Sequence, residues 1–155
     1  MKFNESLEIG KKFEKYVKNL FDPEYFEIIQ ESESYAFDDL DLLIQFKNTN
    51  HRFWVECRYR SDFEEYNHYG NIFHNIKWSN NAERDFYKFT QKREQVFLAI
   101  GIGRSPEKPY KFYFFNIWDF DDTNNNFLYR DFYQHFELDP EKKLIWTPRI
   151  IQSLN

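Results

Sequence analysis

The feature that most constrains the fold is a pair of apolar runs separated by a short polar stretch. Residues 39–46 (DLDLLIQF) and residues 52–58 (RFWVECR) flank the sequence KNTNH. Two runs of strand-forming residues joined by so short a polar turn are typical of a β-hairpin. Both runs carry charged residues beside apolar ones, and an unpaired charge is costly to bury. We therefore expect the charges of one strand to pair with those of the other.

Helical and strand-like patterns surround this hairpin. Apolar residues at helical spacing predict a first helix over about residues 5–21, which Asp22-Pro23 ends, and a second over about residues 82–93. Further strands are predicted over residues 25–30, 95–102 and 111–118, and a short helix over residues 131–137.

Two segments have a less regular pattern. Residues 61–80 mix charged residues, tyrosines and histidines without periodicity, which predicts a long loop of the kind that often carries function. In residues 144–151 (LIWTPRII), Pro148 argues for an edge strand or a loop. The complete order, α, β, β, β, α, β, β, predicts an α/β protein with helices flanking a mixed sheet. We expect one domain over residues 1–155.

The composition limits the class of protein. The chain has 155 residues with 19 Phe and 11 Tyr, which predicts an aromatic core, and its single cysteine excludes an internal disulfide framework. A net charge of −5 argues against a general nucleic-acid coat protein but is compatible with a local basic groove. No apolar run approaches the roughly 20 residues of a membrane span. The start, MKFNESLEIGKK, lacks the apolar region of an export signal, so we expect a cytoplasmic protein without a membrane partner.

The predicted hairpin brings acidic residues together. If its turn is centred on the first four residues of KNTNH, Asp41 lies opposite Glu56 and Asp39 lies opposite Arg58. Side chains alternate along a strand, so Glu56 and Arg58 share a face, while Cys57 points to the other side as a small packed residue. Three acids and a guanidinium therefore converge at one end of the two strands.

The paired acids are candidate ligands for a divalent metal ion. Two carboxylates at this separation repel each other unless a proton or a cation lies between them. Mg²⁺, or Mn²⁺ in its place, suits them because it takes oxygen ligands and keeps waters and phosphate oxygens. Glu14 of the first helix is a candidate third ligand, and Gly10 is expected to leave room for the metal or for a close approach of backbone. The alternative is a structural salt bridge on an exposed sheet face.

These residues resemble the motif of the PD-(D/E)xK phosphodiesterases. The matching positions, which span residues 10–102, are Gly10-x-x-Phe13-Glu14, Asp39-Leu40-Asp41 and Glu56-Cys57-Arg58. That superfamily has the restriction-endonuclease-like fold, with an αβββαβ core, and includes restriction enzymes and Holliday-junction resolvases. The resemblance implies a metal-dependent nuclease whose metal ligands are Asp41, Glu56 and Glu14.

Two positions depart from the usual motif. Either Asp39 or Asp41 can be the motif aspartate, and we prefer Asp41 because it lies opposite Glu56, with Asp39 as the reserve ligand. The motif lysine is replaced by Arg58. Arginine can clamp a phosphate or stabilise developing negative charge, but it effectively never loses its proton and so cannot act as a general base.

Other residues give weaker signals. The four histidines lack zinc-ligand spacing and cysteine partners. Six cations are candidates for a basic rim, and three aromatic residues are candidates for stacking on bases. These are Arg60, Lys77, Arg84, Lys88, Lys92 and Arg93, and Tyr66, Tyr69 and Trp78. For the helix residues among them, an ordinary solvated face is the favoured interpretation.

The leading hypothesis is a DNA endonuclease that hydrolyses phosphodiester bonds with Mg²⁺ or Mn²⁺. Its predicted catalytic residues are Asp41, Glu56, Arg58 and Glu14, with Asp39 in reserve. The alternative hypothesis is a catalytically inactive member of the fold that binds nucleic acid or a protein. A homodimer is a third possibility, because the many aromatic side chains offer an interface.

Overall fold

The computed structural model describes residues 3–31, 40–122, 124–147 and 150–153. Its α-helices are α1 (Phe3–Leu20), α2 (Ala82–Thr90) and α3 (Arg130–Tyr133). Its strands are β1 (Phe26–Glu31), β2 (Leu42–Phe46), β3 (His51–Arg60), β4 (Glu64–His68), β5 (Asn71–Lys77), β6 (Gln95–Ile102), β7 (Lys111–Asn116), β8 (Phe127–Leu128), β9 (Glu137–Leu138), β10 (Leu144–Thr147) and β11 (Ile150–Ser153). Asp39 lies outside the described residues.

A six-stranded mixed sheet organises the molecule. Its strand order is β1-β2-β3-β6-β7-β9, and β3 and β6 run parallel while the other neighbouring strands run antiparallel. Parallel strands need a crossover between them, and here the crossover contains β4, β5 and α2. The mixed sheet with flanking helices, predicted from the alternating pattern, is confirmed.

The strands β3 and β6 form the middle of the sheet and are covered on both faces. Phe53 and Val55 pack with Phe13 and Val17 of α1 in one apolar cluster. Trp54 packs with Phe89 of α2 in the other. The alternation of side chains along β3 therefore sends Val55 towards α1, and the next residue, Glu56, towards α2.

A glycine allows α1 to lie close to the sheet. A Cβ added to Gly101 of β6 would lie 2.4 Å from Cε1 of Phe13, which is far too close for two carbon atoms. The ring of Phe13 therefore occupies the space that a side chain at this position would fill. This contact fixes the helix that carries Glu14 against the centre of the sheet.

The prediction of a loop over residues 61–80 is wrong. This segment contains the hairpin β4–β5, and β5 also pairs with β8. The hairpin turns through Tyr69 and Gly70, with φ of 50° and 81°, and two consecutive positive φ angles are the geometry of a tight hairpin turn. The pattern was missed because every side chain of β4 is exposed, so no apolar alternation marks the strand.

Of the three aromatic residues proposed for base stacking, Tyr66 and Tyr69 lie in this hairpin and Trp78 follows it. Trp78 is only 2% exposed, and its indole N–H donates to the carbonyl oxygen of Asn125 at 2.8 Å. It is a core residue, so its expected availability to nucleic acid is wrong. Tyr66 and Tyr69 are exposed.

The remaining boundaries differ from the predicted ones by a few residues. The strand over residues 95–102 has its predicted bounds, whereas α2 ends at Thr90 and β7 ends at Asn116, whose side chain accepts the N–H of Trp118 and begins a 3₁₀ turn. Residues on either side of the Pro148 position form the antiparallel pair β10–β11. Within the described part of the chain, no helix has both the length and the apolar character needed to cross a membrane.

Candidate active site

The register of the β2–β3 hairpin places two acids side by side. Leu42 pairs with Val55, and Leu43 pairs with Trp54. Continuing this register by one residue places Asp41 opposite Glu56, as predicted from the sequence. Oδ2 of Asp41 accepts the backbone N–H of Cys57 at 2.7 Å, which holds the carboxyl group at the end of β3.

Asp41 and Glu56 are hydrogen-bonded to each other and have opposite pKa shifts. Burial, the charge of Glu56 and the charge of Glu14 raise the pKa of Asp41 well above its ordinary value. Burial alone would also raise the pKa of Glu56, which is 2% exposed, but the charge of Arg58, the hydrogen bond from Asp41 and the charge of Lys88 together lower it. Of the two carboxyl groups, Asp41 is therefore the one that takes up a proton more readily.

The first helix contributes a third acid near this pair. Glu14 forms an ion pair with Lys11 at 3.5 Å, and its side chain is mostly buried. Its negative charge reaches Asp41, since it is one of the causes of the raised pKa of that carboxyl group. Of the two roles expected of Gly10, a close approach of backbone is not observed, because a Cβ added there would meet no atom within 4 Å. The structure therefore shows no close approach at Gly10 that would require a glycine.

Arg58 lies beside the acids and is bound on several sides. Its Nη2 is 3.4 Å from Oε2 of Glu56 and 3.6 Å from Oδ2 of Asp85, and its Nη1 donates to the carbonyl oxygen of Cys57 at 3.3 Å. Burial would lower the pKa of Arg58, but Glu56, Asp41 and Asp85 raise it. The guanidinium is therefore a fixed cation of the cluster.

Two residues of α2 complete the cluster. Sequence reasoning did not single out Asp85, and it named Lys88 as a candidate for a basic rim but favoured a solvated face for it, which its contact with Glu56 corrects. Nζ of Lys88 lies 3.1 Å from Oε2 of Glu56. Asp85 is 5% exposed, contacts Arg58, and accepts the hydroxyl of Ser79 at 2.5 Å. A signal was present, because Asp85 occupies the helical face of Ala82 and Phe89, where an apolar residue is expected.

Cys57 has the predicted orientation. It packs against the apolar cluster beneath α1, on the sheet face opposite to Glu56. Burial and the nearby charges of Asp41, Glu14 and Glu56 raise the pKa of its thiol well above the ordinary value. A protonated thiol is a poor nucleophile, so Cys57 acts as a packing residue.

The Asp41–Glu56 pair has the donor chemistry for a hard divalent ion. Among the described residues, no group of three His, Cys, Asp or Glu side chains is arranged to bind a metal. Mg²⁺, however, is commonly bound by one or two carboxylates together with waters and substrate phosphates. The repulsion between Asp41 and Glu56 that contributes to the raised pKa of Asp41 would be relieved by a cation bound between them. The two residues therefore fit the ion, with Glu14 close enough to influence them electrostatically.

Comparison with known proteins is informative about the fold. No protein-family model matches the chain, and no curated protein matches its sequence. A solved structure is similar: Hjc, a Holliday junction resolvase from the archaeal hyperthermophile Archaeoglobus fulgidus. The match has 13% sequence identity and a TM-score of 0.51, and it covers 82% of this chain and 89% of the Hjc chain. The chain thus has the restriction-endonuclease-like fold that the motif resemblance predicts.

Proposed function

We propose that the protein is a divalent-metal-dependent phosphodiesterase that acts as a DNA endonuclease. The observation that carries this proposal is the contact between Asp41, just before β2, and Glu56 within β3. Two buried acids in contact are costly unless a proton or a cation compensates them, and a divalent metal ion is such a cation. The similarity of the fold to a Holliday junction resolvase supports DNA as the substrate.

In this proposal Asp41 and Glu56 hold Mg²⁺ or Mn²⁺, Glu14 assists, and Asp39 is the reserve ligand. The ion, when bound, lowers the pKa of a water nucleophile and offsets negative charge on the phosphate. Carboxylate ligands must be deprotonated, so metal binding displaces a proton wherever the raised pKa of Asp41 keeps it protonated. Glu14 favours this exchange because its negative charge attracts the cation.

Arg58 supports the site as a permanent positive charge. It keeps Glu56 ionised and ready to act as a ligand, despite the burial of that carboxylate. Its own pKa is raised by the surrounding acids, so it cannot accept the proton of a water nucleophile. We therefore assign to Arg58 an electrostatic function and not that of a general base.

The direct test combines metal binding with cleavage. Mg²⁺ and Mn²⁺ are titrated by calorimetry into the wild-type protein and into Glu56→Ala, and the same proteins are incubated with supercoiled plasmid DNA. We expect the wild type to bind metal and nick the plasmid, and Glu56→Ala to lose both properties. A wild type that neither binds metal nor nicks DNA would overturn the proposal.

A second candidate function is a DNA- or protein-binding module without catalysis. One observation favours it: the acids already have partners within the protein, since Arg58 and Lys88 pair with Glu56 and the backbone N–H of Cys57 donates to Asp41. Among the described residues, no buried side-chain polar atom lacks a hydrogen-bond partner. Binding of DNA that is unchanged by EDTA, with no cleavage, would support this function. Sedimentation analysis of the full chain tests the accompanying proposal of a homodimer.

A further inference from the structure

Two cations reach the buried carboxylate of Glu56 from different elements. Arg58 extends from β3 and Lys88 extends from α2, and they contact the same oxygen, Oε2, at 3.4 Å and 3.1 Å. Their side chains are similarly exposed, 20% and 17%. Exposure therefore does not distinguish which of the two cations is able to bind a phosphate. The difference lies in the protein groups that each cation already contacts.

Arg58 is occupied by acceptors of the protein itself. Besides Glu56, it contacts the buried carboxylate of Asp85 and the carbonyl oxygen of Cys57. A phosphate that approached Arg58 would meet two carboxylates that already balance its charge, and like charges repel at such distances. Binding a phosphate there would require Arg58 to give up an ion pair.

Lys88 contacts the cluster through one carboxylate. Its ammonium has three N–H bonds, and Glu56 accepts one of them. The same ammonium is able to contact Glu56 and a phosphate oxygen at once, because a point charge with rotating donors does not require a fixed fork of acceptors. Lys88 thus places a positive charge next to the proposed metal ligand without breaking a contact.

The protein fixes α2 in the orientation that directs Lys88 to Glu56. Asp85 and Lys88 are three residues apart and therefore lie on one side of the helix. Asp85 binds Arg58 on the sheet and accepts the hydroxyl of Ser79. The side chain of Asn81 caps the helix by accepting the backbone N–H of Arg84 at 3.1 Å. Arg58 and Asp85 together are positioning residues for α2.

We propose that Lys88, and not Arg58, is the catalytic cation that contacts the scissile phosphate. This inference rests on the proposed phosphodiesterase function and identifies a residue for it. The ammonium of Lys88 donates to a non-bridging phosphate oxygen, holds the phosphate beside Glu56, and offsets the negative charge that develops during attack. Arg58 anchors α2 through Asp85 and keeps Glu56 ionised.

Phosphate binding tests this assignment without cleavage. The probe is thymidine 3′,5′-bisphosphate, titrated by calorimetry in Ca²⁺ and again in EDTA. Lys88→Met retains the apolar stem and removes the ammonium. We expect it to bind the bisphosphate about tenfold more weakly, which corresponds to the loss of one charged hydrogen bond. Lys88→Arg keeps a cation and should bind within about threefold of the wild type. The matched control is Lys92→Met. Lys92 lies over the ring of Trp54, so this variant should bind the bisphosphate like the wild type.

Cleavage under single-turnover conditions gives the second readout. We expect Lys88→Met to nick plasmid DNA about a hundredfold more slowly than the wild type. Its urea unfolding midpoint should fall, because Lys88 also pairs with the buried carboxylate of Glu56, so cleavage is compared under conditions in which circular dichroism shows both proteins to be folded and calorimetry shows both to bind Mg²⁺. Retained metal binding and folding would exclude a structural cause.

The two proposals fail in different ways. A wild type that neither binds metal nor nicks DNA overturns the nuclease function. Bisphosphate binding tests the role of Lys88 independently of that result. The assignment of Lys88 is overturned if Lys88→Met binds the bisphosphate as tightly as the wild type does. It is also overturned if the wild type does not bind the bisphosphate in either buffer.

Discussion

The ring of Phe13 lies directly against Gly101, so that a Cβ on that glycine would be 2.4 Å from the ring. Phe13 is 1% exposed, so its ring is enclosed by other protein atoms. We expect Gly101→Ala to lower the free energy of unfolding by about 1–3 kcal/mol, the usual cost of overpacking a core. Urea denaturation measures this change.

The chain offers a matched control in Gly10. A Cβ there meets nothing within 4 Å, and the residue lies within α1. Because alanine is the better helix former, Gly10→Ala should raise the free energy of unfolding by about 0.5–1 kcal/mol. Equal effects of the two substitutions would contradict the close packing of α1 on β6.

Replacement of the ionisable group of Asp41 should increase the stability of the metal-free protein and abolish metal binding. In Asp41→Asn the amide oxygen is still able to accept the N–H of Cys57, while the repulsion from Glu56 and Glu14 is removed. We expect the metal-free variant to be about 1 kcal/mol more stable than the wild type at neutral pH. Calorimetry should at the same time show no Mg²⁺ binding. A variant that is less stable and still binds metal would contradict both the raised pKa of Asp41 and its role as a metal ligand.

The acid pair also predicts how stability depends on pH. The pKa of Asp41 is raised in the folded protein, so its stabilising contribution is complete below its unfolded pKa of about 3.9 and is lost as the pH rises through the folded value. Glu56 behaves oppositely: its pKa is lowered, so its contribution is present above about 4.3 and is lost as the pH falls through the folded value.

These opposite signs can be tested by comparison of variants. The stability difference between Asp41→Asn and the wild type should grow as the pH rises from about 4 to 8, because only the wild type loses the contribution of a protonated Asp41. Urea unfolding at several pH values gives the curve. A difference that is independent of pH would show that Asp41 is ionised throughout.

The link between the sheet and α2 gives a further prediction. Asp85→Asn removes a buried partner of Arg58 and weakens the acceptor for Ser79. We expect a loss of about 2–3 kcal/mol in stability, because breaking a buried ion pair leaves its partner uncompensated. Asp131→Asn changes an exposed aspartate of α3 and serves as the control. Differential scanning calorimetry of the two variants would reveal the contrast.

Sequence reasoning succeeded where the determinants are local. The pairing of Asp41 with Glu56 depends on the alternation within two adjacent strands and on one short turn, so the register could be worked out residue by residue. The opposite orientation of Cys57 follows from the same alternation.

The contribution of α2 could not be found in this way. Lys88 reaches Glu56 only because the crossover lays the helix over the sheet, and the angle of that helix depends on packing that no periodicity encodes. The β4–β5 hairpin was missed for a related reason. Its first strand is solvent-exposed and turns at Tyr69-Gly70, which is not among the dipeptides that mark a hairpin most strongly.

The parallel pairing of β3 with β6 has a consequence for when, during folding, the charged cluster is completed. Lys88 lies within the crossover from β3 to β6, and an entire hairpin separates it from Glu56 along the chain, so the two residues meet only after these distant segments have joined. Contacts between segments far apart in sequence form slowly, because the loop between them must first be closed. A nascent or partly folded chain has the two acids of the local hairpin but not the lysine beside them. Whatever chemistry the complete cluster performs is confined to molecules that have finished folding.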